Sequence, residues 1–398
     1  MRSGDGLILR VRQRGGAFGI AQVAAIAEAS QRFGNGLIDI TRRGALQLRG
    51  VEEAGYAPVL ERLDAHGLLD RDSDSEAARN VVVDPMMGMD GADVARAILR
   101  ELEERLVSGA LAGVLPAKFG FAVDTARAPV LREVPADIRI ETAADGGLIV
   151  VPDGAGRGFR VEPGEAVEAM ISAARVFAAH PQVMAGEVRR MRPLIVAIGE
   201  EDFLARFGRS LGERAAPGAA LLPGIVMRDD VVAGICIGWP FGQIEARDLA
   251  RLIAEAEGAS ELRLTPWRSV FLPNVASGIF ERIAGMGLVT RADDPRLRID
   301  VCVGAPGCAS AEAETRQLAR LLAATPDLAD KLAGDAVLHV SGCAKGCARS
   351  TPADRTLTGR AGRFDLVIDG RPGDAAILHD IAPDAVAEAL RRSFPAPQ

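Results

Sequence analysis

Aromatic residues are scarce in this chain, 4% of 398, with a single tyrosine and two tryptophans. That leaves no ladder of rings on which bases could stack. A basic surplus is missing too: the formal net charge is −7, the wrong sign for gathering nucleic-acid phosphates. No nucleic-acid partner is therefore expected. No segment approaches the roughly 18 consecutive apolar residues of a membrane-spanning helix, so no membrane partner is expected either. The opening Met1-Arg-Ser-Gly-Asp-Gly lacks the apolar stretch of a secretory leader, which points to a cytoplasmic chain with reduced thiols. No G-x-G-x-x-G follows a strand-like run, so nicotinamide is not expected to bind here directly. What is present, 48% hydrophobic and 25% charged residues, is the composition of a globular protein of two to four domains.

Four of the five cysteines fall into two tight pairs, Cys302-Val-Gly-Ala-Pro-Gly-Cys308 and Cys343-Ala-Lys-Gly-Cys347. C-x5-C … C-x3-C supplies four thiolates, the ligand set of a [4Fe-4S] cluster. The intervening residues 309–342 suffice for a helix and a returning strand, so both pairs can converge. Structural zinc favours C-x2-C or C-x4-C knuckles, and it stands as a competing reading beside unrelated buried thiols. Gly304, Gly307, Gly342 and Gly346 let backbone amides approach the sulfurs and tune their potential. Cys236, in the run Val231-Val-Ala-Gly-Ile-Cys-Ile, reads as a small core hydrophobe.

A long internal repeat organises the chain. Ile38, Ile40, Thr41, Leu46, Leu48 and Val51 fall on Leu262, Leu264, Thr265, Val270, Leu272 and Val275 at a constant offset of 224 residues. At the same offset, the strand and Gly-rich bend of residues 6–19 match residues 230–243, with a helix-like stretch after each. In the first copy Ile38, Ile40, Leu46 and Leu48 share one parity and can face a core. Asp39, Thr41, Arg43, Gln47 and Arg49 share the other, as Arg10, Arg12 and Arg14 do on the first strand. A solvated sheet face is the plain reading of such arginines. Their clustering on adjacent strands of one copy favours an anion-binding face, because the second copy has Trp267 for Arg43 and Phe271 for Gln47. After each repeat comes an α/β segment. The first has helices expected over 91–108 and 163–178 and a strand over 119–123. The second, with the cysteines, has a helix expected over 309–324 and strands near 337–340 and 364–368.

This order, with these cysteines, resembles the nitrite/sulfite reductase superfamily over essentially the whole chain. Within it, the chain looks most like the precorrin-3B synthase family of aerobic cobalamin biosynthesis. The residues that carry the likeness run from Thr41-Arg42-Arg43-Gly44-Ala45-Leu46-Gln47 to Val51, from Leu115 to Phe119, from Gly307 to Ala311 and from His339 to Ala348. The resemblance implies an α+β/α/β fold with a duplicated sulfite-reductase-like architecture. Its two ferredoxin-like half-domains (1–70 and 201–292) are each followed by an α/β domain (71–200, and 293–398 with the [4Fe-4S] cluster).

Arg43 falls on the arginine of the reductases' Thr-Thr-Arg-Gln-x-x-Gln motif, and Arg79 on that of their Arg-Asn-Val segment. Lys118 keeps the first lysine of their Leu-Pro-x-Lys-Phe-Lys segment, whereas Gly120 replaces the second. A compact oxyanion needs close positive charge, so this loss disfavours sulfite. The usual Pro-Asn of the last cysteine pair is Ala344-Lys345 here. The implied activity is that of an oxidoreductase. It is an iron–sulfur monooxygenase that uses O2 to hydroxylate precorrin-3A at a meso carbon with γ-lactone closure, fed from NADH through an electron-donating reductase. Arg10, Arg12, Arg42, Arg43, Gln47, Arg49, Arg79 and Lys118 are the expected substrate-binding residues. A mononuclear non-haem iron is implied too. Its usual ligands are two histidines and a carboxylate, yet the chain has only His66, His180, His339 and His379, without H-x-D/E spacing. The competing readings are a sirohaem-dependent sulfite or nitrite reductase, with Cys347 bridging to the haem iron, and a non-catalytic electron carrier or cluster-based sensor.

Overall fold

The computed structural model describes residues 1–89, 94–108, 111, 113–228, 230–333 and 336–394. Four sheets organise them. In the first, Gly6–Val11, Leu46–Val51 and Leu37–Ile40 run antiparallel, with Arg2–Ser3 on one edge. The third sheet repeats that order with Val231–Gly238, Ser269–Pro273 and Glu261–Leu264, edged by Gly224–Arg228. Each copy closes its sheet with a strand of the other. Gln243–Glu245 pairs with Leu37–Ile40, and Ala17–Gly19 pairs with Glu261–Leu264. The half-domains thus interlock, and their expected inward residues meet in one core. Ile38, Ile40, Leu46 and Leu48 pack in it with Leu262, Leu264, Val270 and Leu272, beneath the helices Ile20–Phe33 and Ala246–Glu255.

The repeat is real, but its offset is not constant. The pairs Asp39–Gln47 and Arg263–Phe271 keep the 224-residue spacing. Upstream, Val11 opposite Leu46 corresponds to Ile237 opposite Val270, and the helices start at Ile20 and Ala246, a spacing of 226. The second helix is four residues shorter, 10 against 14, and its connection to the next strand only two longer, which brings the spacing back to 224. A slip of two residues leaves strand parity unchanged, which is why alternation could not reveal it. Arg10 therefore corresponds to Cys236, and Gly15 to Phe241. The backbone agrees, with φ +59° at Gly15 and +58° at Phe241.

The second sheet has six strands. Val81–Val83, Phe121–Asp124 and Ile138–Thr142 run parallel, and antiparallel strands follow out to Leu211–Glu213. This sheet thus extends past residue 200. Helices Val94–Ser108 and Ala166–Ala178 pack on it, and its strands Val81–Val83, Phe121–Asp124 and Leu148–Pro152 are largely apolar. The first of these helices begins at Val94, and the expected residues 91–93 lie outside the described ones. In the fourth sheet Ile299–Val301, Leu338–Ser341 and Ala353–Arg360 are parallel, and Arg363–Gly370 and Leu378–Ile381 antiparallel. The helix expected over 309–324 is confined to Arg316–Ala323, because residues 309–315 form part of the cysteine loop. The architecture is the duplicated one, with two ferredoxin-like units and two α/β units.

Candidate active site and cluster cradle

Ile299–Val301 and Leu338–Ser341 are parallel neighbours, so the loops leaving their C-terminal ends emerge side by side. Cys302 and Cys308 occupy one loop, Cys343 and Cys347 the other. Cys302, Cys308 and Cys343 all lie within electrostatic reach of Cys347. The Cys347 thiol is pushed up first by burial and then by Cys302, Cys343 and Cys308. The loops are tied by backbone and side-chain bonds. The Cys302 N–H donates to Val340 O at 3.2 Å, Thr315 Oγ1 to Cys302 O at 2.7 Å, and Ser341 Oγ to Cys343 O at 2.7 Å. The Gly342 N–H donates to Cys302 Sγ at 3.1 Å. Gly304 has φ +71°, and a Cβ there would sit 2.3 Å from Thr315 Oγ1. Lys345, standing where the reductases have asparagine, donates to Ser310 Oγ at 2.8 Å and joins the loops.

Among the described residues no three His, Cys, Asp or Glu side chains close around a single ion. Four adjacent thiols, an amide on one sulfur and loops that no Cβ could enter do fit a [4Fe-4S] cluster.

The cradle rests on the first sheet through Arg49, which is 2% exposed. Arg49 Nη2 donates to Gly307 O at 2.6 Å, Nε to Asp5 at 2.9 Å and Nη1 to Asp39 at 3.3 Å. Arg49, expected at the substrate, is instead the clamp of the cysteine loop. Arg79 is similarly engaged, donating to Asp70 at 2.6 Å and to Arg12 O at 3.2 Å. Arg12 donates back to Arg79 O at 3.1 Å, and burial draws its guanidinium down to about 10. Arg42 points away from its neighbour Arg43 and donates to Asp300 at 2.7 Å.

Arg10, Arg43, Gln47 and Lys118 remain as the accessible part of the expected set, Arg10 in a 3.9 Å ion pair with Glu76. Arg10 and Gln47 are cross-strand partners, and Lys118 stands exposed. The Arg43 guanidinium makes no hydrogen bond or ion pair among the described residues. Burial lowers it most, the charges of Arg190 and Arg10 lower it further, and Asp137 partly offsets them. It is a cation held in a surplus of like charge, an arrangement that favours an anion. Arg190 was missed by sequence reasoning, although the basic run Arg189-Arg190-Met191-Arg192 signalled it. Its Nε donates to both oxygens of the fully buried Asp137 at 2.9 and 3.1 Å. Asp137 also accepts the Gly120 N–H at 2.9 Å. A Cβ at Gly120 would lie 2.6 Å from Asn80 Nδ2, so a side chain there would have to displace the Asn80 amide.

The histidines are scattered. His66 Nδ1 lies 2.9 Å from Arg62 O, His180 precedes a short helix and the exposed His379 is 3.5 Å from Asp365. His339 is fully buried with neither ring nitrogen partnered, and burial pushes it down to about 4. The residues do not fit the implied mononuclear iron.

The fold and the thiol cradle together define a protein of the nitrite/sulfite reductase class. Residues 1–66 match the family model described as the nitrite/sulfite reductase ferredoxin-like half domain. A solved structure of Mycobacterium tuberculosis NirA protein superimposes with a TM-score of 0.75, covering 97% of this chain and 79% of that one at 20% identity. A ferredoxin–nitrite reductase of Synechococcus elongatus is 27% identical over 95% of this chain and 82% of its own. A precorrin-3B synthase of Sinorhizobium is 34% identical over 93% of this chain and 81% of its own. The chain belongs to the precorrin-3B synthase family. No helix among the described residues is long and apolar enough to cross a membrane.

Proposed function

We propose that this chain is itself a precorrin-3B synthase, a cytoplasmic monooxygenase that holds precorrin-3A on the open basic face and oxidises it with O2. The observation that carries this reading is Gly120. The oxyanion reductases keep a second lysine there, whereas this position has no side chain at all. The face therefore lacks the tight focus of charge that a small dianion needs, and it keeps the spread-out cations that suit a macrocycle fringed with carboxylates. Arg10, Arg43 and Lys118 would pair with those carboxylates, with Arg190 held ready by Asp137.

In the proposed reaction one atom of O2 enters a meso carbon while the ring-A acetate closes the γ-lactone. The other atom leaves as water, taking up two electrons and two protons. A bound cluster supplies one-electron transfer, here from NADH through a partner reductase. Arg49 and Ser3 both hold Gly307 O, which fixes the cysteine loop on the sheet that carries the basic face.

The test is turnover of precorrin-3A under 18O2 by anaerobically purified protein, after acid–acetone extraction of any pigment. One labelled oxygen in the product, with no sirohaem extracted, is expected. Extractable sirohaem with sulfite or nitrite reduction would overturn the reading.

A further inference from the structure

Both tryptophans of the chain line a single cavity of about 440 Å³. It opens where the second copy's loop, Thr265 to Ser269, meets the segment just after Cys347 and the loop before Asp137. Four arginines line it, Arg42, Arg268, Arg296 and Arg349, against two carboxylates, Asp300 and the exposed Glu133. In a protein of net charge −7 this is a local reversal of sign.

The arginines are built in. Arg42 and Arg268 reach Asp300 Oδ1 at 2.7 and 3.2 Å, and Arg349 reaches Oδ2 at 3.0 Å. One carboxylate thus faces three guanidiniums and neutralises one of them. Arg296 has its own partner in Asp294. A second, independent sign comes from Trp239, which is 2% exposed and whose indole N–H has no acceptor. A buried N–H of this kind is costly unless something accepts its proton. Surplus guanidiniums, an orphaned donor and the face of Trp267 ask for one kind of molecule: a flat conjugated ring with carboxylate arms.

We infer that this cavity is a second recognition site, taking a carboxylate-bearing edge of the conjugated substrate beside the cluster loops. It would act together with the basic face of the first copy. The inference rests on the tetrapyrrole reading above. It assigns a binding role to Arg268, Trp239 and Trp267 of the second copy, which the repeat alone marked as structural, and to Arg349 just after Cys347.

Because both tryptophans line the cavity, their fluorescence lifetime reports on it. Uroporphyrin, a tetrapyrrole with eight carboxylates, is the probe, titrated into cluster-loaded protein with its Soret shift followed in parallel. A saturable lifetime decrease is expected, with affinity reduced about tenfold or more by Arg268→Gln or Arg349→Gln, as for loss of a charged hydrogen bond. Arg349→Lys should recover part of it. Asp300→Asn, which removes the internal counter-ion, is expected to tighten binding.

If uroporphyrin binds by Soret shift and loses affinity in Arg43→Ala, while the wild-type lifetime stays unchanged, the cavity assignment fails and the tetrapyrrole reading stands. If no tetrapyrrole binds by either signal, the reading itself fails and takes the inference with it. A lifetime response to flavin mononucleotide but not to uroporphyrin would give the cavity to a phosphate-bearing redox cofactor and overturn the assignment.

Discussion

On the first copy's sheet Arg10 lies beside Gln47, and at the same two places in the second copy stand Cys236 and Phe271. Both of the latter are fully buried, with Met86, Met89 and Leu221 packed on them. The backbones pair in the same register, so what differs is the neighbour. The second copy's face is covered by the first α/β segment, where an unpaired guanidinium would lose its hydration with nothing in return. The first copy's face is only partly covered, by the cysteine loop, and there Arg49 is matched to Asp5 and Asp39. Arg12 is buried against Glu76 O and Arg79 O, and Arg10 lies 3.9 Å from the Glu76 carboxylate. A duplicated sheet can therefore keep charge only where a ligand, a counter-ion or water meets it.

The largest effect that would break this contrast is at the cradle. Cys343→Ser should remove the cluster, read as loss of iron and acid-labile sulfide, and full retention of both would refute the assignment. Next come substitutions at equivalent positions. Phe271→Ala should cost about 3–5 kcal/mol of stability in denaturant unfolding, as for a large buried aromatic, while Gln47→Ala should stay within about 0.5 kcal/mol. Equal losses would show that both faces are core. Ligand binding should reverse the order. Arg43→Ala is expected to weaken tetrapyrrole binding by about tenfold, the scale of one charged hydrogen bond, and Cys236→Ala to leave it unchanged.

A pH dependence is expected at the loop that covers Trp267. Asp124 accepts the Leu131 N–H at 2.7 Å, and burial pushes its carboxyl up to about 7. The folded protein then holds a proton that the unfolded chain has released. Stability should fall as pH rises from about 4 to 7 and level off above, and Asp124→Asn should flatten that slope. Thermal unfolding across this range checks it.

Much of this was legible in the sequence because it was written in spacing. The cysteine pairs, the half-chain repeat and the inward parity of Ile38, Ile40, Leu46 and Leu48 all follow from residue order. Side-chain destinations were not legible. Arg42 and Arg43 are adjacent yet diverge, one to Asp300 and the other to the open face. Arg49 shares a parity with Arg43 but ends under the cysteine loop, because Asp5 and Gly307 reach it from elsewhere in the chain. The exchange of Gln243–Glu245 for Ala17–Gly19 was equally hidden, since two short strands with the same pattern can each serve either sheet.

That exchange bears on how such a chain arises. One copy alone leaves an edge of its own sheet unpaired and carries a strand that fits only a twin. A solitary ancestor of this unit would therefore have worked as a twofold pair, each member lending its strand to the other, as in domain-swapped dimers. Joining the twins in one polypeptide released them from having to be identical. Only then could Arg10 and Cys236, or Gly15 and Phe241, drift apart on a shared frame and leave one chain with two unlike surfaces.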